Sequence, residues 1–232
     1  MNNLKINRLF LIWKNNHFVN KGGKTMQTRF YFIRHGQTQW NKQGIYQGWT
    51  DIPLSEEGKK QARCLRKRFE NEKLKLDAVY SSPLQRAMQT AEAMAKAKGL
   101  TVIADDHFKE INFGEWEGHT VAQLSEKHGK AYTDFFENPF IHPFPGEGSF
   151  DAVIKRSVEG FELLLKKHEG ANVAIVSHGG LLRVLIMTLM GMDYTFYRKT
   201  WLSNTSVTVI DVKENGKKLL LTLNDFSHLE TL

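Results

Sequence analysis

The sequence predicts a three-layer α/β/α sandwich around a mostly parallel sheet with an antiparallel edge strand. Three observations carry that expectation. Short apolar runs alternate with amphipathic stretches of helical period, the pattern of parallel strands joined by crossover helices. The last two apolar runs flank Asn215-Gly216, a hairpin signal, so the alternation ends on an antiparallel pair. No Pro-, Gly- or Ser-rich linker divides the chain, and 232 residues with 41% hydrophobic content suit one domain.

The elements follow in order. Residues 29–33 form an apolar and aromatic run, read as a buried first strand. A loop rich in Gly and Gln covers 36–54. Ser55 reads as an N-cap, with Glu56 and Glu57 in the first turn of a helix that reaches about Asn71. Residues 78–81 read as a second strand. Ser82-Pro83 reads as a helix start with proline at the first position. Leu84, Ala87, Met88, Ala91 and Ala95 then give one apolar face, and Gly99 ends the helix. Residues 101–104 are a third strand, 120–137 are mostly helical, and 138–148 form a Pro/Gly loop. Phe150, Val153, Ile154, Val158, Phe161, Leu164 and Leu165 recur at helical spacing up to Gly170. Residues 172–177 read as the most central strand, followed by a helix over 181–190. Residues 205–213 and 218–226 are the hairpin strands.

Residues 1–25 stand apart. They contain Lys5, Arg8, Lys14, Lys21 and Lys24 and no acidic residue, so five of the seven net positive charges fall there. Their apolar run at 9–13 is far shorter than the ~20 residues that span a membrane. No small-residue cleavage site follows it. Lys21-Gly22-Gly23 can be encoded by a bacterial ribosome-binding sequence, with Lys24 and Thr25 as spacer, which makes Met26 the expected start. The expected organisation is a non-native or disordered extension over 1–25 and a single domain over 26–232.

Composition excludes several function classes. Outside the extension, 27 basic residues face 25 acidic ones, and no basic stripe with interleaved aromatics stands out. Neither a nucleic-acid nor a membrane partner is expected. The single cysteine, Cys64, rules out an internal disulfide, reads as a packed thiol, and fits the reducing cytoplasm.

Four segments end a strand or open a helix with groups suited to phosphate. They are Arg34-His35-Gly36-Gln37-Thr38, Ser81-Ser82-Pro83-Leu84-Gln85-Arg86, Glu110-Ile111-Asn112-Phe113-Gly114 and Ser177-His178-Gly179-Gly180. Ligands of open α/β sheets bind outside the carboxyl ends of strands, where these segments would converge. Together they offer two arginines to fork onto phosphoryl oxygens and backbone N–H groups at a helix start. They also offer a histidine as nucleophile and a carboxyl group as proton donor. Taken singly, each residue has a plainer role: a structural histidine, a surface Arg86, a solvated Glu110. A metal site of His35, His178 and Glu110 fits zinc by ligand type, but Arg34 and Arg86 would lie against that cation. No metal or organic cofactor is expected.

The run from Arg34 to Asn41 resembles the Arg-His-Gly signature of the histidine phosphatase superfamily. Gln47-Gly48-Trp49-Thr50-Asp51-Ile52-Pro53-Leu54, residues 80–90, residues 110–118 and Ser177-His178-Gly179-Gly180 resemble that family's further blocks, in family order. The resemblance covers residues 27–226. It implies a phosphoglycerate mutase-like sandwich and a phosphohistidine intermediate on His35. Arg34, Arg86 and His178 match residues that hold the phosphoryl group, and Glu110 matches the proton donor, rather than Glu115 or Glu117. Thr38, Asn41, Gln47, Gly48 and Gly179 match positions at the substrate. Pro145-Gly146-Glu147-Gly148-Ser149 departs from the family's Pro-Gly-Gly-Glu-Ser and leaves that loop's capping open.

The implied reaction is ping-pong hydrolysis of a small phosphorylated metabolite. His35 attacks phosphorus, Glu110 protonates the departing alcohol, and Glu110 then activates water. The alternatives are a cofactor-dependent phosphoglycerate mutase and a catalytically silent phosphate-binding module. Mutases of the family follow the acid with Arg-His-Tyr-Gly, whereas Glu110 is followed by Ile111-Asn112-Phe113-Gly114-Glu115-Trp116-Glu117-Gly118. That pattern resembles the broad-specificity and α-ribazole phosphatases. Phe140 and Phe144, among prolines, are expected to line the entrance beside Trp116 and to favour apolar or aromatic esters. Phe135, Phe136 and Phe150 are expected to pack the insertion onto the domain. No oligomeric state is read from the sequence.

Overall fold

The computed structural model describes residues 27–230; the expectation for residues 1–25 falls outside them. Strand β1 (Gln27–Arg34) sets the architecture. Its Phe30, Tyr31, Phe32 and Ile33 are all buried, so both faces of the sheet must be covered, as in parallel sheets generally. The other strands are β2 (Ala78–Ser81), β3 (Val102–Ala104), β4 (Asn172–Ser177), β5 (Val207–Lys213) and β6 (Lys218–Asp225). They form one sheet in the order β3-β2-β4-β1-β5-β6. β3, β2, β4 and β1 pair in parallel. β5 runs against β1, and β6 pairs antiparallel to β5 at the edge. The reversed strand is therefore one place in from the edge. The hairpin turn falls at Asn215-Gly216 as expected, with Gly216 at φ 79°.

Among the described residues, eight α-helices complete the layers. They are α1 (Gln39–Gln43), α2 (Glu56–Asn71), α3 (Gln85–Lys96), α4 (Val121–His128), α5 (Lys130–Glu137), α6 (Phe150–Lys167), α7 (Gly179–Leu189) and α8 (Tyr194–Lys199). Phe30 and Phe32 point to a core shared with α6 and α7, including Phe161 and Leu185. Tyr31 and Ile33 point to the other core, with Leu65 and Phe69 of α2 and Ala91 and Met94 of α3. Alternation along one strand thus divides the core into two. Ser55 caps α2 by accepting from the Gly58 N–H, as its sequence suggests.

Three expectations need correction. Pro83 is not the first residue of α3, which starts at Gln85. Its N-terminus is capped from outside, because Asp51 accepts from the Gln85 N–H at 2.7 Å. The loop over 36–54 contains α1, which Thr38 caps through a reciprocal bond with Asn41. The helix α8, capped by Asp193, was not anticipated at all.

Candidate active site

The site forms where the two central parallel strands end. Arg34 of β1 lies in register with Ser177 of β4, and Ser81 of β2 with Val176. The next residues of each strand, His35, His178 and Ser82, therefore emerge side by side at one switch point. A cavity of about 580 Å³ opens there. Its lining includes Arg34, His35, Arg86, Glu110, Asn41, Gln47, Gly48 and Gly179, eight of the ten residues expected from sequence. The other two, Thr38 and His178, stand directly behind the wall.

His35 is held in one tautomer. Its Nδ1 lies 2.7 Å from the Gly36 carbonyl, which can only accept, so Nδ1 carries the proton. Nε2 keeps the lone pair. Burial, reinforced by Arg86 and Arg34, holds the imidazole well below its ordinary pKa. The ring is neutral and lies between two cations. Its main chain is strapped from the other side. The Asn204 Nδ2 donates to the His35 carbonyl at 2.9 Å, and the Thr205 N–H donates to the Arg34 carbonyl at 3.0 Å. Thr205 is fully buried at φ 57°, an uncommon conformation for a β-branched residue.

Arg86 is a buried residue of α3, not a surface one. Its Nη1 and Nη2 donate to the carbonyls of Thr50 and Gly48, and its Nε donates to His178 Nδ1 at 3.1 Å. His178 must then donate from Nε2 to Ser82 Oγ, 2.8 Å away. The His178 ring centre lies 5.1 Å from that of His35. Burial pushes both arginines down to about 10, which leaves them charged at neutral pH. Arg34 Nε is buried with no hydrogen-bond partner among the described residues. Such a donor is costly unless a ligand oxygen meets it.

The N–H groups that open α7 do not wait for phosphate, as the sequence suggested. Those of Gly180 and Leu181 donate to the Glu110 carboxylate at 3.1 and 2.8 Å, joined by the Ile111 N–H at 2.9 Å. A Cβ on Gly180 would stand 2.7 Å from Glu110 Oε1, so glycine permits this approach. The Glu110 carbonyl accepts from Trp49 Nε1 at 2.7 Å and from Arg156 Nη2 at 3.3 Å. Arg156 was not singled out from sequence. It forks onto Glu147, which also accepts from the Asn112 N–H. The departing Pro-Gly-Glu-Gly-Ser loop is thus tied to the Glu110 loop, and its Ser149 caps α6. Glu117 is spent on the main-chain N–H groups of Trp49, Thr50 and Phe113, consistent with Glu110 as the one facing the cavity.

Thr38 donates to Gln47 Oε1 at 2.7 Å and accepts from the Asn41 N–H at 3.0 Å. It fixes Gln47 and Asn41 and leaves the Gln47 NH2 end for a ligand.

Phe140 and Phe144 do not line the entrance. Phe144 and Trp116 are buried, with Phe144 against Phe113, Phe135 and Phe150. Phe140 packs on Phe150 and Tyr194. A bridge between Phe144 and Gly148 folds the loop inward. Phe135 is buried in the core as expected and also reaches the cavity lining, whereas Phe136 is left exposed at the cavity. The lining also takes in Arg183, Tyr194, Tyr197, Arg198, Trp201 and Asn204, none foreseen.

Residues 30–225 match the family profile of the histidine phosphatase superfamily (branch 1). The chain belongs to the histidine phosphatase superfamily. It is 37% identical to Phosphoserine phosphatase 1 of Hydrogenobacter thermophilus over 202 residues, 87% of this chain and 94% of that one. It is 35% identical to the Metal-independent phosphoserine phosphatase of Arabidopsis thaliana, over 88% of this chain and 84% of that one. Among solved structures, Bacillus stearothermophilus YhfR superposes with a TM-score of 0.80 at 33% identity, covering 88% of this chain and all of that one. A phosphoserine phosphatase of Entamoeba histolytica gives 0.77 at 33% identity, covering 87% and 99%. This member of the histidine phosphatase superfamily is a phosphomonoesterase, a phosphoric monoester hydrolase. No helix among the described residues is long and apolar enough to cross a membrane.

The two buried histidines make stability depend on pH in a defined direction. Burial lowers both pKa values, with Arg86 the next cause for each. Unfolded, each takes up a proton near pH 6.5; folded, each resists it. Below about pH 6.5 the unfolded state binds more protons, so stability falls as pH falls. Each histidine contributes a slope of about 1.4 kcal/mol per pH unit there. The urea midpoint is expected to drop between pH 7 and pH 5, and less steeply in His35→Asn. Equal slopes for the two proteins would contradict the assignment.

Proposed function

We propose that this phosphatase hydrolyses small phosphorylated metabolites through a phosphohistidine on His35. The observation that carries the proposal is the Nδ1 bond to the Gly36 carbonyl, which leaves Nε2 as a neutral nucleophile between Arg34 and Arg86. Nε2 attacks phosphorus in line. The P–O bond to the alcohol breaks, and Glu110 delivers a proton to the departing oxygen. Water then attacks the phosphohistidine, Glu110 takes its proton, and phosphate leaves. Arg34, with its partnerless Nε, binds the phosphoryl oxygens directly. His178 orients Arg86, while Thr38 holds Gln47 and Asn41 at the cavity wall. Gly179 faces the same wall without a side chain to block it.

Phosphatase is favoured over mutase by the wall beside the acid. Of the segment after Glu110, Phe113 lines the cavity, and residues 111–118 hold no basic residue. The near balance of charge over residues 26–232 supports metabolites, not nucleic acids, as partners, and the lone Cys64 supports a cytoplasmic setting.

Two measurements test the proposal. Rapid acid quenching with radiolabelled substrate should be avoided in favour of alkaline quenching, which preserves phosphohistidine, and mapping should place the label on His35. Incubation with 3-phosphoglycerate should release inorganic phosphate and form no 2-phospho isomer. Label elsewhere, or efficient isomer formation, would overturn the proposal.

A further inference from the structure

We infer that Arg183 and Arg198 form a second anion subsite, which takes a carboxylate on the leaving group. The inference rests on the phosphatase reading above and names its substrate class, the phosphate monoesters of short hydroxy acids.

The charge of the cavity wall is the first observation. Among the described residues, the lining holds four arginines, Arg34, Arg86, Arg183 and Arg198, and one carboxylate, Glu110. A phosphate ester brings about two negative charges at neutral pH. With Glu110 ionised, one arginine charge is left unmatched; with Glu110 carrying the proton, two are. The protein does not match them itself, because neither Arg183 nor Arg198 has an ion-pair partner among the described residues. A monoester with an uncharged alcohol leaves the excess standing. One with a carboxylate removes it when Glu110 is ionised and halves it when Glu110 carries the proton.

The second observation is how Arg183 is held. Its Nε donates to the Gly179 carbonyl at 3.1 Å, and its Nη1 to the carbonyls of Tyr197 and Thr200 at 3.0 and 3.2 Å. Its guanidinium carbon lies 4.0 Å from the centre of the Tyr197 ring. Carbonyls and an aromatic face orient the cation without neutralising it. Nε and Nη1 are engaged, so Nη2 remains for a ligand oxygen. A fixed guanidinium loses little freedom when it binds a carboxylate. Arg198, one residue past Tyr197, is exposed on α8 and adds attraction at the rim.

Trp201 sets the distance between the two subsites. The Arg34 guanidinium carbon is 5.1 Å from the indole centre, and that of Arg183 is 5.7 Å from it. The two cations are therefore no more than about 11 Å apart, the two distances taken end to end. A carboxylate two or three carbons from the ester oxygen spans such a gap. The aromatic wall then serves as a platform for Arg183 more than as a pocket for an aryl group, which reverses the preference expected from Phe140 and Phe144.

The test compares esters that differ only in the acid. 3-Phosphoglycerate is paired with glycerol 3-phosphate, and O-phosphoserine with phosphoethanolamine; 4-nitrophenyl phosphate is the common reference. Phosphate release gives kcat/KM for wild type, Arg183→Gln and Arg198→Ala. Wild type should prefer the acid of each pair by about tenfold or more, the worth of a charged hydrogen bond. That preference should fall with added salt. It should shrink most in Arg183→Gln, through KM for the acids, and partly in Arg198→Ala. Should Arg183→Gln fail to fold, the Arg198 variant and the wild-type salt series decide. Equal treatment of each pair by an enzyme that hydrolyses 4-nitrophenyl phosphate overturns the subsite and leaves the phosphatase reading standing. A preference that survives both substitutions assigns it to other residues and also overturns the subsite. No phosphate from any ester overturns the phosphatase reading itself.

Discussion

Replacing His35 with alanine is expected to reduce turnover by on the order of 10,000-fold or more, the scale of losing a nucleophile that acts in concert with its partners. The fold should survive. β1 is anchored in register to β4 and β5, and the His35 ring lies past its end. The anion site should survive as well, because Arg34 and Arg86 reach it from other anchors: Arg34 bonds the Leu202 carbonyl, and Arg86 those of Gly48 and Thr50. Inorganic phosphate should therefore still bind within about tenfold of wild type, since losing one uncharged contact costs on the order of 1 kcal/mol. Lost turnover with retained binding separates a chemical role from a structural one. Activity above about one per cent of wild type would be too much for a nucleophile to leave behind.

The second large effect falls on Glu110. A Glu110→Gln enzyme should lose about 100- to 10,000-fold in kcat, the usual contribution of a positioned acid. The size of the loss should depend on the leaving group. A good leaving group such as 4-nitrophenolate departs without a proton, so it should suffer least. An alkyl alkoxide needs the proton and should suffer most. The variant should also lose about 1 kcal/mol of stability. Glutamine can keep the two bonds that Oε1 accepts from Ile111 and Leu181, but its NH2 would face the Gly180 N–H. Thermal denaturation measures that part separately. An equal loss for aryl and alkyl esters would mean that Glu110 only positions groups and transfers no proton.

Much of this site was legible because its parts are strand ends. Arg34 ends β1, His35 and His178 sit immediately past β1 and β4, and a parallel register makes adjacent ends meet. Arg86 was legible as a candidate from its segment past the second strand and from its family block; nothing in its helical spacing says that it is buried. The aromatic insertion misled for a physical reason. Hydrophobicity gives burial on average, not which side of a loop turns inward. The bridge between Phe144 and Gly148 sent Phe144 into the core. Along α5, Tyr132 and Phe135 face inward, and the next residue, Phe136, is left half exposed at the cavity. Arg183 did carry a signal. It is the only charged residue in the apolar helix Gly179–Leu189. It stands one turn after Gly179, the spacing that brings it back over the strand end. Asp193 likewise announced α8 as an N-cap, but a helix of six residues has too little periodicity to confirm it. Arg156 and Glu147 gave no warning, because an ion pair across nine residues of loop and helix has no sequence pattern.

The strap on His35 ties the site's completion to the synthesis of β5. The amide that holds the His35 carbonyl belongs to a residue 169 positions later, beside a buried Thr205 in a conformation that only surrounding structure can enforce. During translation His35 leaves the ribosome well before β5, which must pair with β1 before Asn204 and Thr205 can close over it. Contacts so distant in sequence form late and slowly. An interrupted chain that stops short of β5 carries every group proposed for the chemistry and still lacks the strap on His35. Copies that stop there are expected to turn over phosphate esters poorly, because topology alone withholds the amide that fixes the His35 main chain.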